Sequence, residues 1–148
     1  MIVHSAYATV TASHDNSGTG PASNTKSGGK TARWIAGGNL GEGVTLQWDM
    51  GSATPICSVY IEWEGASAHE YRVESSDDGE SWIPRTTYTH PGSSANDGTV
   101  IAYNVRNLLP QGLVARYIRL YMVSPHNTHG YSIWYASVQG SAGPPLSP

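Results

Sequence analysis

The strongest constraint in this chain is a hydrophobic period of two. In Thr45-Leu46-Gln47-Trp48-Asp49-Met50, the apolar Leu46, Trp48 and Met50 fall on one side and Gln47 and Asp49 on the other. That is the pattern of a half-buried β-strand. Val59, Ile61 and Trp63 repeat it against Tyr60, Glu62 and Glu64, and Tyr71, Val73 and Ser75 alternate with Arg72 and Glu74. Residues 7–12, 82–89, 99–105, 116–123 and 132–138 read the same way. The set predicts about eight strands, and no segment keeps helical spacing. Asp78-Gly79 between two strand patterns is a hairpin signal. The 17 glycines and 9 prolines, spread through 148 residues, exclude a helical bundle or coiled coil. Many short antiparallel strands with glycine-rich turns predict an all-β fold, an antiparallel sandwich or jelly roll.

Composition narrows the function. The formal net charge is −3 with only 8 basic residues. Sequence-independent nucleic-acid binding needs a basic face, as does electrostatic binding to anionic lipid, so both are disfavoured. Cys57 is the single cysteine, which excludes an internal disulfide and a multi-cysteine zinc site. Within Ile56-Cys57-Ser58-Val59 it reads as a small buried apolar residue. No apolar run is long enough for a membrane-spanning helix. Residues 1–140 read as one domain, and the tail 141–148, half of it Gly or Pro, reads as a linker to something larger. Three segments exceed what hairpins need, 13–31, 35–43 and 124–130. Long loops on a rigid sandwich are where binding concentrates.

Five motifs carry a family resemblance, in order along nearly the whole chain. They are Thr31-Ala32-Arg33-Trp34, Thr45-Leu46-Gln47-Trp48-Asp49-Met50-Gly51, Ser76-Asp77-Asp78-Gly79-Glu80-Ser81-Trp82, Ala115-Arg116-Tyr117-Ile118-Arg119-Leu120 and Gly130-Tyr131-Ser132-Ile133-Trp134. Together they resemble the discoidin domain, also called the coagulation factor 5/8 type C domain, and its branch of family 32 carbohydrate-binding modules. The resemblance implies a galactose-binding-domain-like jelly roll with its ligand at one end. Trp34, Trp48, Trp82 and Tyr117 are then expected inside the thin two-sheet core. Trp134 is expected there too, and Arg116 and Arg119 are read as fold residues.

Many relatives hold a structural calcium beside the T-R-W segment. A calcium site needs several hard oxygen ligands. The aligned positions here are Ser27, Gly28, Gly29 and Ala32, with Tyr135 in place of a late Glu and Lys26 and Lys30 nearby. No side-chain carboxylate remains, so structural calcium is predicted absent. The vertebrate branch binds membranes through apolar loop tips with basic neighbours. The 35–43 loop offers Leu40 and an acid, Glu42, which disfavours that role.

The resemblance places candidate ligand contacts at His14, Asp15 and Asn16 in the first loop, Arg33, Glu64 after Trp63, and His126, Asn127, His129 and Tyr131 in the last loop. Charged side chains pair with adjacent sugar hydroxyls, and an aromatic ring, Tyr131 or Trp134, stacks on a sugar face. Asp15 and Asn16 read equally well as turn residues. His126 and His129 lack a third ligand for a metal. The segment Glu62-Trp63-Glu64-Gly65-Ala66-Ser67-Ala68 lacks the Arg–Asn pair frequent in galactose binders and looks more like members that bind gluco-configured chains. The expectation is therefore a non-catalytic, extracellular carbohydrate-binding module for a β-linked gluco-configured or amino-sugar oligosaccharide, appended to a larger enzyme. Alternatives are a free-standing galactose-type lectin and a protein- or phospholipid-binding discoidin domain. A glycosidase would need two placed carboxylates, for which Asp15 with Glu64 is the one candidate pair. No cofactor is expected.

Overall fold

The computed structural model describes residues 2–92 and 99–140. The strands, in chain order, are β1 (Ile2–Val3), β2 (Thr9–Ala12), β3 (Trp34–Gly37), β4 (Thr45–Pro55), β5 (Ser58–Trp63), β6 (Ala68–Ser76), β7 (Ile83–Thr89), β8 (Tyr103–Leu108), β9 (Val114–Pro125) and β10 (Tyr131–Gly140). They form two antiparallel five-stranded sheets. One runs β1-β10-β5-β8 with β3 also on β10, and the other runs β2-β4-β9-β6-β7. β1 pairs with the end of β10, β3 with its start, and β5 with its length. The expected all-β sandwich is therefore the fold, with ten strands rather than eight. The additions are the two-residue β1 and the four-residue β3, both too short to show a period. β3 takes the first part of the expected 35–43 loop. The eighth strand starts at Tyr103, not Thr99, because its partner β5 ends at Trp63, the register partner of Tyr103.

The period of two fixes the core. Leu46, Trp48 and Met50 of β4, Val59, Ile61 and Trp63 of β5, and Tyr71 and Val73 of β6 are all buried. Ile118, Leu120 and Met122 of β9 lie between those of β4 and β6 on the same inner face, opposite β5, with Trp34, Tyr131 and Ile133 at the end near β3. Truncating any one of the buried tryptophans would cost about 3–5 kcal/mol. At the β6–β7 hairpin the Asp78 carboxylate accepts the backbone N–H groups of Glu80 and Ser81 at 2.8 and 2.9 Å. Those bonds hold its carboxyl below the usual carboxylate range although it is exposed. Gly79 takes the left-handed conformation there, φ +77°.

Four side chains are not where the sequence places them. Trp82 and Tyr117 are half-buried on the outer face of the second sheet. Ile118 and Leu120 point inward, so Tyr117 must point out, and Trp82 packs edge-on against it at 6.3 Å. Arg119 lies over the Trp82 ring at 4.2 Å. Trp134 is half-buried rather than core. Cys57 is exposed, in the turn between β4 and β5. The fold residues Arg116 and Arg119 do make structural ion pairs. Arg116 grips Asp49 through two bonds of 2.9 and 3.1 Å, and Arg119 pairs with Glu74 at 2.7 Å. The expected linker 141–148 and the 93–98 part of the loop before β8 lie outside the described residues.

Candidate functional site

Alternation also builds a cleft at one end of the first sheet. In β3, Trp34 points into the core, so Arg33 and Ile35 on either side point out. Ile35 is the register partner of Ser132 in β10. Glu64, one residue past β5, donates its backbone N–H to the Ser132 carbonyl at 3.0 Å. Arg33, Ile35, Ser132 and Glu64 thus form one outward floor, with Ala66, Val100 and His129 as walls, around a volume of about 350 Å³. Arg33 Nη1 donates to Glu64 Oε1 at 2.6 Å and to Ser132 Oγ at 3.2 Å. The Ala66 N–H donates to the same Glu64 oxygen at 3.3 Å. Both bonds to Glu64 use Oε1, which leaves Oε2 for a ligand. The two side chains keep 36% and 25% of their surface exposed, so the pair is reachable from solvent. Val100, 63% exposed, adds an apolar lip. The Arg33 guanidinium also lies 5.7 Å from the Trp134 ring centre.

Of the nine residues expected to meet a ligand, three line the cleft: Arg33, Glu64 and His129. Three others stand behind it. Asn127 is fully buried. Its Nδ2 donates to the Gly65 and Thr99 carbonyls at 3.0 and 2.8 Å, and its Oδ1 accepts the His129 N–H at 3.0 Å. It ties the three wall segments together. Tyr131 is fully buried and its hydroxyl donates to the Gly41 carbonyl at 2.7 Å, so it cannot offer a stacking face. Burial pushes its phenol well above the ordinary tyrosine range. His126 is fully buried, its backbone N–H bonded to the Ser67 carbonyl. These are corrections: crossing loops leave carbonyls that need buried donors, and these residues supply them.

The first-loop residues lie apart from the cleft lining. The Asp15 carboxylate accepts the Gly18 N–H at 3.1 Å and closes a turn. It borders a separate hollow with Val10, Ala12 and Pro21. Asn16 is a left-handed turn residue, φ +51°, bonded to Thr19 at 2.9 Å. His14 presents its carbonyl to Trp34 Nε1 at 2.8 Å. Ile35, Ala66, Val100 and Ser132 were missed. Alternation from the buried Trp34 and Ile133 marks Ile35 and Ser132 as outward, but nothing local marks Ala66 or Val100.

Calcium does not fit the loop before β3. Lys26 places its ammonium 2.6 Å from the Ala8 carbonyl and so brings a cation of its own into this region. Tyr135, half-buried, contributes a phenol where a carboxylate would be needed. Among the described residues no cluster of His, Cys, Asp and Glu is suited to a metal.

A histidine cluster backs the wall. His90 stacks on Tyr103 at 3.6 Å with the rings 4° from parallel, and its Nδ1 meets the Tyr88 hydroxyl at 2.9 Å. His126 packs edge-on against His90 at 5.6 Å and His69 at 5.1 Å. Burial, then the neighbouring His126 and His69, hold the His90 pKa below its ordinary value of 6.5. The unfolded chain therefore takes up a proton that the folded one resists. Stability is full above about pH 6.5 and falls as pH drops below it. Thermal melts between about pH 7.5 and pH 5 should show that fall, and His90→Phe should shrink it. An unchanged slope in the variant would remove His90 as its source.

The antiparallel sandwich thus carries an open cleft at one end of its first sheet, lined by residues from several chain segments. The chain belongs to the F5/8 type C domain family, whose model matches residues 9–136. No curated protein matches it. Among solved structures it is similar to chitosan-binding module 1 of a chitosanase/glucanase from Paenibacillus sp. IK-5. There the identity is 23% and the TM-score 0.79, covering 95% of this chain and 100% of that one. It is similar to module 2 of the same enzyme, solved with chitotriose, at 20% identity and TM-score 0.77, covering 93% and 99%. It also resembles the family 32 carbohydrate-binding module of NanJ from C. perfringens, solved with galactose. That match has 17% identity and TM-score 0.68, covering 93% and 96%. At these identities the likeness is one of fold.

Proposed function

We propose that this chain is a non-catalytic carbohydrate-binding module of the family 32 branch, and that the cleft over Arg33, Glu64 and Ser132 takes a β-linked gluco-configured or amino-sugar oligosaccharide. The observation that carries this reading is the Arg33–Glu64 pair at 2.6 Å on the cleft floor. A guanidinium and a carboxylate held side by side match the adjacent donor and acceptor hydroxyls of a sugar, and charged partners strengthen those bonds. Glu64 Oε2 also suits a sugar ammonium. Ile35 and Val100 supply apolar surface for the C–H faces. The chitotriose and galactose bound by the two modules described above support a sugar in this fold.

Catalysis is disfavoured because glycoside hydrolysis uses two carboxylates across the bond. Among the residues lining the cleft only Glu64 is one, since Asp15 borders a different hollow. On this reading the protein acts outside the cell, as one module of a polysaccharide-acting enzyme.

Titration calorimetry with glucosamine, cello- and galacto-oligosaccharides tests it. Binding to the first or second class is expected, with Glu64→Ala and Arg33→Ala each weakening it at least tenfold and little change in melting temperature. Each lost charged bond is worth about 1.5–3 kcal/mol. Binding of galactosides alone would overturn the gluco-configured assignment, and binding of no glycan would overturn the module reading.

A further inference from the structure

We propose that the outer face of β10, β5 and β8 continues the cleft as a second binding segment, which takes the further rings of the same oligosaccharide chain. This rests on the cleft being a saccharide site, and it concerns residues beyond the cleft lining.

The starting point is a bulge. β10 pairs Ile133 with Trp63 of β5, but the next paired residue is Tyr135, opposite Glu62. Two residues, Trp134 and Tyr135, therefore oppose one. In a regular strand these neighbours would point to opposite faces. Here Ile133 and Ala136 are both buried, whereas Trp134 and Tyr135 are both half-buried. A bulge that re-aims a side chain next to a site is a recurrent device in sheets. It sets two adjacent rings at the outer side of the sheet that carries the cleft floor.

The run beyond them is continuous. Trp134 stands 5.7 Å from the Arg33 guanidinium on the floor. Tyr135 is beside Glu62 by register and 6.2 Å from the Tyr60 ring. Glu62 and Tyr60 share one face of β5, and Glu64 follows one residue past its end, so the run from the floor to Tyr60 is about 13 Å. That length accommodates more than one further sugar ring. The chemistry alternates as a sugar chain requires. Tyr60 donates its hydroxyl to Glu62 Oε2 at 2.9 Å, and Arg106 of β8 lies 5.2 Å from the Tyr60 ring centre. Asn104, opposite Glu62, is exposed. Rings for C–H faces thus stand beside a carboxylate, an amide and a guanidinium for hydroxyls. A protein partner would favour a face depleted of charge at its centre. Here the centre is Glu62, flanked by hydroxyls and a guanidinium, which favours a saccharide.

The test is calorimetric titration of the wild-type chain, Tyr135→Ala and Tyr60→Ala with glucosamine and cello-oligosaccharides from the disaccharide to the hexasaccharide, alongside thermal melts. The wild-type affinity should rise with chain length. Each variant should melt like the wild type and bind the disaccharide equally well, yet lose roughly tenfold for the hexasaccharide. A hexasaccharide that binds the wild type no better than the disaccharide overturns the second segment and leaves the cleft reading standing. So do variants that weaken both ligands in equal proportion. Failure of every oligomer to bind the wild type overturns the gluco-configured or amino-sugar assignment of the cleft, and the segment with it.

Discussion

Gly130→Ala is expected to lower stability by about 3 kcal/mol or more, a fall of roughly 6–12 °C in melting temperature for a chain of this size. Gly130 has φ +82°, a left-handed conformation that penalises any residue with a Cβ by about 1–2 kcal/mol. A Cβ there would also lie 1.8 Å from the Gly37 carbonyl oxygen and 3.0 Å from its carbon. Backbone atoms cannot rotate aside as a side-chain tip can. Relief requires β3 to move off β10, where Gly37 pairs with Tyr131. Overpacking of this kind adds about 1–3 kcal/mol. Because Ile35 of the cleft floor sits on β3, sugar binding should fall together with stability. Gly28→Ala is the matched control: its Cβ would meet nothing within 4 Å, and its φ is not left-handed. Circular dichroism melts of both variants decide the matter. A Gly130→Ala protein that melts with the wild type would mean that β3 and β10 do not approach so closely.

That glycine opens the last of the five motifs, and it shows what kind of information the sequence holds. Alternation made β4, β5, β6 and β9 legible, because one face of each is buried and a slip by one residue would reverse every side chain. The same rule, followed strictly, would have placed Tyr117 outside. Ile118 and Leu120 had already set the phase, and the size of an aromatic ring does not override it. Trp134 was misread because a bulge is a change of register between two strands and leaves no mark on one strand alone. The site was legible only in part for a similar reason. Arg33 and Glu64 flank core tryptophans at strand ends, so each could be placed outward from its own segment. The cleft itself needs four segments brought together, and Val100 and Ala66 belong to it only through that assembly. His126 and Asn127 look like ligand contacts in any polar loop. What buries Asn127 is the need of the Gly65 and Thr99 carbonyls for a donor, which appears only when those loops cross.

Glu74→Ala is expected to destabilise the protein by about 2–3 kcal/mol while leaving sugar binding intact. Glu74 is on β6, on the outer face of the sheet that does not carry the cleft. Its side chain is only 4% exposed, and it accepts from Arg119 Nε at 2.7 Å and Arg72 Nε at 3.1 Å. Each oxygen serves one arginine. Both guanidiniums in turn cover rings, Arg119 over Trp82 at 4.2 Å and Arg72 over Tyr121 at 4.3 Å. One carboxylate therefore fixes two cations over an aromatic surface that would otherwise be wet. Removing it leaves two like charges facing each other with no counter-charge, which is why the loss exceeds that of an ordinary surface pair. The arginines retain 20% and 32% of their side-chain surface, so water recovers part of the cost and keeps the figure below that of a sealed pair. Glu74→Gln keeps the shape and one acceptor oxygen but not the charge, so it should fall between wild type and Glu74→Ala. Arg72→Ala and Arg119→Ala should each cost less than Glu74→Ala, because the other arginine still neutralises the carboxylate. A double-mutant cycle over the three positions, read by denaturant unfolding, separates this bridge from two independent pairs. Strict additivity of the single losses would mean that Glu74 does not couple them.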